Sequence, residues 1–193
     1  EALDSVFELL CRAGRPAPMV KAMTIPESIA QNKTMKPAHE ALFTYCNAIL
    51  EPWDGPAAIC AHDGRWVVAG MDRNGLRPMR FITTNDGLLI VGSEAGMVEI
   101  PDSTITEKGR VGPGGMIGID LDEGKFYHDT ELKDLIAARA DFSKWTERTE
   151  ILDELIEAAD VKGSMLSPEE LRRRQHCFGL TMEDMEMILQ PMI

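Results

Sequence analysis

No apolar run in the sequence reaches the roughly 20 residues that a membrane-spanning helix needs, and the first residues lack a basic-then-apolar signal pattern. Basic charge is scarce: 20 Lys and Arg stand against 32 Asp and Glu, a formal net charge of -12 that repels phosphate backbones and anionic lipid surfaces alike. Nucleic acid and membranes are therefore excluded as expected partners, and a cytoplasmic location is expected. Cysteine is sparse and scattered. Cys11, Cys46, Cys60 and Cys177 form no C-x-x-C pair and have no His at ligand spacing, so the pattern suggests neither a zinc site nor a disulfide framework, only reduced thiols in the core. An initiator Met is missing as well: Glu1 leads straight into a helical pattern, which reads as a cut end.

Several catalytic signatures are incomplete. His39-Glu40 is followed at position 43 by Phe rather than the second His of a zinc protease. The four His lie on separate segments and no Ser sits in a G-x-S-x-G elbow, so no hydrolase triad is proposed. Asp120, Asp122 and Glu123 place their Gly wrongly for a calcium loop. The Gly-rich stretch 109–115 lacks the Gly-Lys-Ser/Thr ending of a phosphate cradle, so turn structure is expected there.

What is present is the composition of a folded domain, 44% hydrophobic and 27% charged, in 193 residues, enough for one well-buried core with a small appendage. Helical spacing of apolar residues predicts helices over 3–12, 18–23 and 37–50, the last opened by Pro37 and broken by Pro52, Asp54, Gly55 and Pro56. From Ala57 the texture changes to short apolar runs joined by turn dipeptides. Asp63-Gly64, Asp86-Gly87 and Asp122-Glu123-Gly124 each predict a hairpin, pairing 57–62 with 66–71, 79–84 with 88–91, and 116–121 with 125–128. Runs such as 57–61 and 88–91 are apolar at consecutive positions, so both faces of these strands should be covered, as in stacked sheets with a helical layer. A helix is expected over 132–140. Beyond 142 the chain turns helical and acidic, with a helix over 151–159, a linker over 162–164, and further helices opened by Ser167-Pro168 and Thr181.

The stretch richest in chemistry is Met71-Asp72-Arg73-Asn74-Gly75-Leu76-Arg77-Pro78. Asn-Gly adopts positive φ readily, and an Arg held there can grip a carboxylate by two points; the alternative is a plain hairpin loop. Ser93-Glu94, just past the fourth strand, offers a carboxylate for Arg77 or Arg73. The run Arg172-Arg173-Arg174 reads as a solvated face or an ion-pair partner for acidic helices.

Taken together, Val6-Phe7-Glu8-Leu9-Leu10, Arg12-Ala13-Gly14-Arg15, Pro52-Trp53-Asp54-Gly55-Pro56-Ala57-Ala58, Asp72 to Pro78, Gly92-Ser93-Glu94-Ala95-Gly96 and Lys108 to Gly114 resemble, in this order, the glutaminase domain of the glutamate synthase large subunits. The tail, with Arg174-Gln175, Phe178-Gly179-Leu180-Thr181, Glu183-Asp184 and Gln190-Pro191-Met192, resembles the same family's connection to its central domain. An arginine-proline loop alone also occurs in amidotransferases making amino sugars, purine precursors or asparagine; the tail is what discriminates.

The resemblance implies an α+β fold, part of a four-layer αββα N-terminal-nucleophile hydrolase sandwich with a helical C-terminal tail. It places the later part of a class II glutamine amidotransferase domain at 1–141 and a linker toward the central domain at 142–193. In such a parent an N-terminal Cys attacks the glutamine amide, and the released ammonia aminates 2-oxoglutarate with electrons from FMN and an iron-sulfur cluster. A small electron-delivering subunit or ferredoxin would be a partner beside the remainder of the subunit. The nucleophilic Cys, the Asn-Gly oxyanion pair and the glutamine-gripping Arg belong to family segments preceding this chain, so the resemblance implies no catalytic residue, metal or cofactor site here and an inactive fragment. Asp72, Arg73, Asn74, Gly75, Arg77, Ser93 and Glu94 are left as residues supporting the pocket. The alternative is a non-catalytic interaction or regulatory module with the same fold.

Overall fold

A computed structural model describes residues 2–30, 32–150, 155 and 166–192. The chain divides into two compact units, 1–149 and 150–193. In the first, three helices come before the strands: α1 (Ala2–Arg12), α2 (Ala17–Thr24) and α3 (Pro37–Ile49), each within about a turn of its sequence expectation. Pro18 and Pro37 suit two of the starts, since a first-turn proline forfeits no helical hydrogen bond. Helix α2 is buried along its whole length, unlike α1, which buries only Phe7.

Among the described residues, seven strands build two antiparallel sheets. The first has the order β1 (Ala58–His62), β2 (Trp66–Met71), β6 (Met116–Asp120), β7 (Lys125–Tyr127); the second is β4 (Leu89–Gly92), β3 (Arg80–Thr84), β5 (Ile105–Arg110). All three expected hairpins form, with Ala61 opposite Val68, Ile82 opposite Ile90, and Ile119 opposite Phe126. Strand β5 is an addition to the sequence reading: its last two residues, Gly109 and Arg110, lie in what reads as a Gly-rich loop, and Gly109 is needed there because a Cβ would sit 2.2 Å from the Phe81 ring.

The core falls in two layers on either side of the first sheet. Phe43, Leu42, Val20, Leu132 and Ile136 of the helices pack with Val68 and Met116 on one face, while Ala69, Met71 and Ile117 meet Phe81 of the second sheet and Met79 just before it on the other. Helix α4 (Asp129–Ala137) closes the helical layer, and α5 (Phe142–Thr146) joins it by stacking Phe142 and Trp145 on Tyr45, at ring-centroid distances of 5.0 and 5.1 Å. Two stacked sheets flanked by helices make an α+β sandwich of the N-terminal-nucleophile hydrolase kind. Burial of both strand faces holds for β2 and β6. It fails for β1, where Ala58, Cys60 and His62 are exposed, because β1 is an edge strand bordering a trough of about 1020 Å³ shared with Leu3, Phe7 and Cys11 of α1.

In the second unit, α6 (Pro168–Cys177) is capped by Ser167, whose Oγ accepts the Glu170 N–H at 3.2 Å. Thr181 and Asp184 cap the next turn reciprocally: Asp184 Oδ2 accepts the Thr181 N–H at 2.7 Å and Thr181 Oγ1 accepts the Asp184 N–H at 3.1 Å. The helix expected over 151–159 falls outside the described residues apart from Leu155, as does the linker 162–164 altogether. No helix among the described residues is long and apolar enough to cross a membrane.

Candidate functional site

Strand β2 delivers Asp72 to the point where the chain leaves the sheet, and Asp72 is 2% exposed. Every polar atom of the residue is used. Its N–H donates to the Ala57 carbonyl at 3.0 Å; its own carbonyl accepts the N–H of Gly75 at 3.1 Å and of Gly114 at 2.8 Å. The carboxylate accepts the N–H groups of Asn74 at 2.9 Å, Ala57 at 3.0 Å and Leu76 at 3.3 Å. Burial pushes this carboxyl up, but the N–H groups of Ala57, Asn74, Leu76 and Gly75 prevail and hold it below the usual carboxylate range. A buried anion satisfied this way fixes the loop around it.

Gly75 takes φ +63°, and a Cβ there would lie 2.8 Å from Pro113 Cγ, so the turn is seated directly on the 111–115 loop. Arg73 is held beside it by an ion pair with Asp54, whose carboxyl is lowered first by the Arg73 hydrogen bond and then by the Gly55 N–H. Asp54 was missed in the sequence reading as part of this cluster; its only signal is a place in the Pro52-Trp53-Asp54-Gly55-Pro56 turn, 19 positions upstream of Arg73. Among the described residues, Glu94 pairs with neither Arg73 nor Arg77.

Arg77 is exposed on the segment leading to Met79, and Ser93 and Glu94 are exposed just past β4. Glu94 lines a separate cavity of about 100 Å³ on the second sheet, together with Ile82, Ile90, Met97 and Lys108. The structure thus brings Asp72, Arg73, Asn74 and Gly75 into one braced turn and sets Ser93 and Glu94 at the end of another strand.

Of the stretch 109–115, where a turn is expected, 111–115 is a loop, while Gly109 and Arg110 belong to β5. Three of the loop's N–H groups are spent inside the protein: Val111 donates to the Met79 carbonyl at 3.0 Å, Gly114 to Asp72, and Gly115 to Gly112 at 2.9 Å. Behind it lies a buried charge cluster with no clear mark in the sequence. Lys133 Nζ donates to Glu27 Oε2 at 2.6 Å and to Asp129 Oδ2 at 2.8 Å, and Asp129 Oδ1 accepts the Met116 N–H at 2.8 Å. Lys21, also buried, points its amine at the carbonyls of Ile25, at 3.0 Å, and Gly114, at 3.4 Å.

The cysteines do not gather, and against the expectation of core thiols only Cys46 is buried, with Cys11 half-buried and Cys60 and Cys177 exposed. Burial pushes the Cys46 thiol up to about 12, which keeps it an unreactive thiol in the helical core, and burial raises Cys11 and Cys60 as well. Among the described residues no group of three or more His, Cys, Asp and Glu could hold a metal ion, so this donor set does not fit an iron-sulfur cluster.

Comparison with known proteins adds a third line. Residues 1–145 match the family described as glutamine amidotransferases class-II. The chain is 57% identical to the glutamate synthase [NADPH] large chain of Azospirillum brasilense over 194 aligned residues, covering 100% of this chain and 13% of that protein. It is 38% identical to the ferredoxin-dependent glutamate synthase 2, chloroplastic, of Arabidopsis thaliana, covering 98% of this chain and 12% of that protein. It is 38% identical to the glutamate synthase [NADPH] large chain of Bacillus subtilis (strain 168), covering 99% of this chain and 12% of that protein. The chain therefore spans about an eighth of the length of these relatives, and the similarity includes the tail beyond residue 145.

Proposed function

The chain belongs to the class-II glutamine amidotransferases, within the glutamate synthases, and from that membership we propose that it forms the later part of a glutaminase domain, braces the glutamine pocket and does no chemistry by itself. The braced turn Asp72 to Gly75 is the observation that carries this reading. A buried anion that accepts three backbone N–H groups is committed to the turn rather than free to serve as a base, and its role is to keep Arg73, Asn74 and Arg77 in place. Positioning of this kind is a large share of what a pocket contributes to rate.

In the proposed parent, segments outside these residues supply the nucleophilic Cys and the oxyanion donors. Ammonia released there aminates 2-oxoglutarate in a reaction for which FMN and an iron-sulfur cluster, bound by other parts of the subunit, supply the electrons. The names of the relatives, NADPH-dependent in two cases and ferredoxin-dependent in a third, favour a reductive parent fed by a small electron-delivering subunit or by ferredoxin. We place the reaction in the cytoplasm and assign the tail from residue 142 onward to the connection with the central domain.

The experiment is an ammonia-release assay with glutamine, run on this chain and on the same chain joined in frame to the preceding coding sequence. The reading expects no turnover from the first and turnover from the second. Glutamine hydrolysis by the 193-residue chain alone would overturn it.

A further inference from the structure

Lys21 lies mid-way along α2, 1% exposed, with its stem running across β2 so closely that a Cβ on Gly70 would fall 2.5 Å from Lys21 Cε. The acids around it are all occupied by other donors. Glu27 Oε2 and Asp129 Oδ2 serve Lys133, Glu27 Oε1 takes the Asn32 amide at 2.8 Å, and the Asp72 carboxylate accepts three backbone N–H groups. What is left for Lys21 is the pair of carbonyls of Ile25 and Gly114. Two acceptors match the two N–H bonds of a neutral amine and leave the third proton of an ammonium without a partner. Burial first, and then the like charge of Lys133, depress the Lys21 amine to about 7 against the opposing pull of Asp129, Glu27 and Asp72.

We infer that Lys21 is a proton-sensitive positioning residue: uncharged, it seals the 111–115 loop onto the core and keeps the Asp72 turn in place, and on taking up a proton it releases both. The connection is short. Gly114 O meets the Lys21 amine while Gly114 N holds the Asp72 carbonyl, and Gly115 O takes the Met71 N–H at 3.0 Å, so the loop cannot lift without loosening the end of β2. Lifting it hydrates the amine and restores an ordinary lysine affinity for protons, which is why protonation favours the lifted state. The charged groups facing the amine are Lys133 and Asp129 from α4, Glu27 from the segment after α2, and Asp72 from the end of β2. The consequence for catalysis rests on the pocket-bracing reading above; the loop's response to protons does not.

The test is amide hydrogen exchange of the 193-residue chain followed by NMR, corrected for intrinsic rates, at a series of pH values between about 7 and about 9.5, with the Lys21 Cε resonance titrated in the same samples. Expected are a Lys21 midpoint near 7 and an opening equilibrium at Gly114, Gly115 and Asp72 that grows about tenfold for each unit the pH falls toward 7. The Lys21→Met chain should show the same amides with no such slope. A Lys21 midpoint near 10, a flat profile in the wild type, or an unchanged slope in the variant would overturn the inference; if the variant does not fold, the first two measurements decide alone. A confirmed slope in a chain whose parent tolerates loss of Asp72 would keep the latch and discard the pocket reading.

Discussion

Gly114 donates its backbone N–H to the Asp72 carbonyl across 2.8 Å, joining the loop before β6 to the turn after β2. Residues 42 positions apart are thereby made into one unit, with Pro113 under Gly75 as its packing contact. Local changes at either end should be felt at the other.

Asp72→Ala removes the acceptor of three backbone N–H groups in a buried turn. A loss of about 1–3 kcal/mol is expected for leaving such donors unpaired, measured by urea unfolding at neutral pH. The folded carboxyl lies below its unfolded range, so its contribution is complete above pH ~4 and fades as the pH falls through the folded value. The wild type should therefore lose its advantage over the variant on acidification, and a gap that widens toward acid would refute the assignment.

Two glycines separate backbone strain from contact. Gly75 and Gly87 both have positive φ, +63° and +86°, but only Gly75 has a neighbour within 4 Å of a built Cβ. Each change to Ala should cost about 1–2 kcal/mol for the left-handed conformation, and Gly75→Ala should cost more again because Pro113 must move. Equal melting temperatures for the two variants would mean that Pro113 yields freely.

Stability against alkali is a third expectation. Between about 7 and 10.5 the unfolded chain carries a proton on Lys21 that the folded chain does not, so unfolding becomes harder as pH rises through that window, by at most about 1.4 kcal/mol per unit from this group. Denaturation midpoints at pH 7.5 and 9 should show the rise in the wild type and its absence in Lys21→Met.

The helices and hairpins were legible because their signals are local: apolar residues at helical spacing, Pro37 at a helix start, Asp63-Gly64 and Asp86-Gly87 between apolar runs. Strand β5 was not, since Gly109 reads as a loop residue until the Phe81 ring that needs its empty side is across from it. The same limit applies to the site. The Asn74-Gly75 turn could be read from dipeptide chemistry, whereas the Asp54 partner of Arg73 and the Gly114 contact of Lys21 come from distant segments. Lys21 did carry one sign, a lone cation inside the apolar run of α2, but its neighbours are set by the tertiary fold.

The central claim is that the Asp72 turn holds the glutamine pocket, and steady-state glutamine hydrolysis by the intact parent enzyme carrying Asp72→Ala tests it most directly. The account predicts a fall in kcat/KM for glutamine of about tenfold or more, on the scale of misplaced positioning groups, while reduction of 2-oxoglutarate with externally supplied ammonia stays at its wild-type rate. Unchanged glutamine kinetics in a folded variant would contradict it.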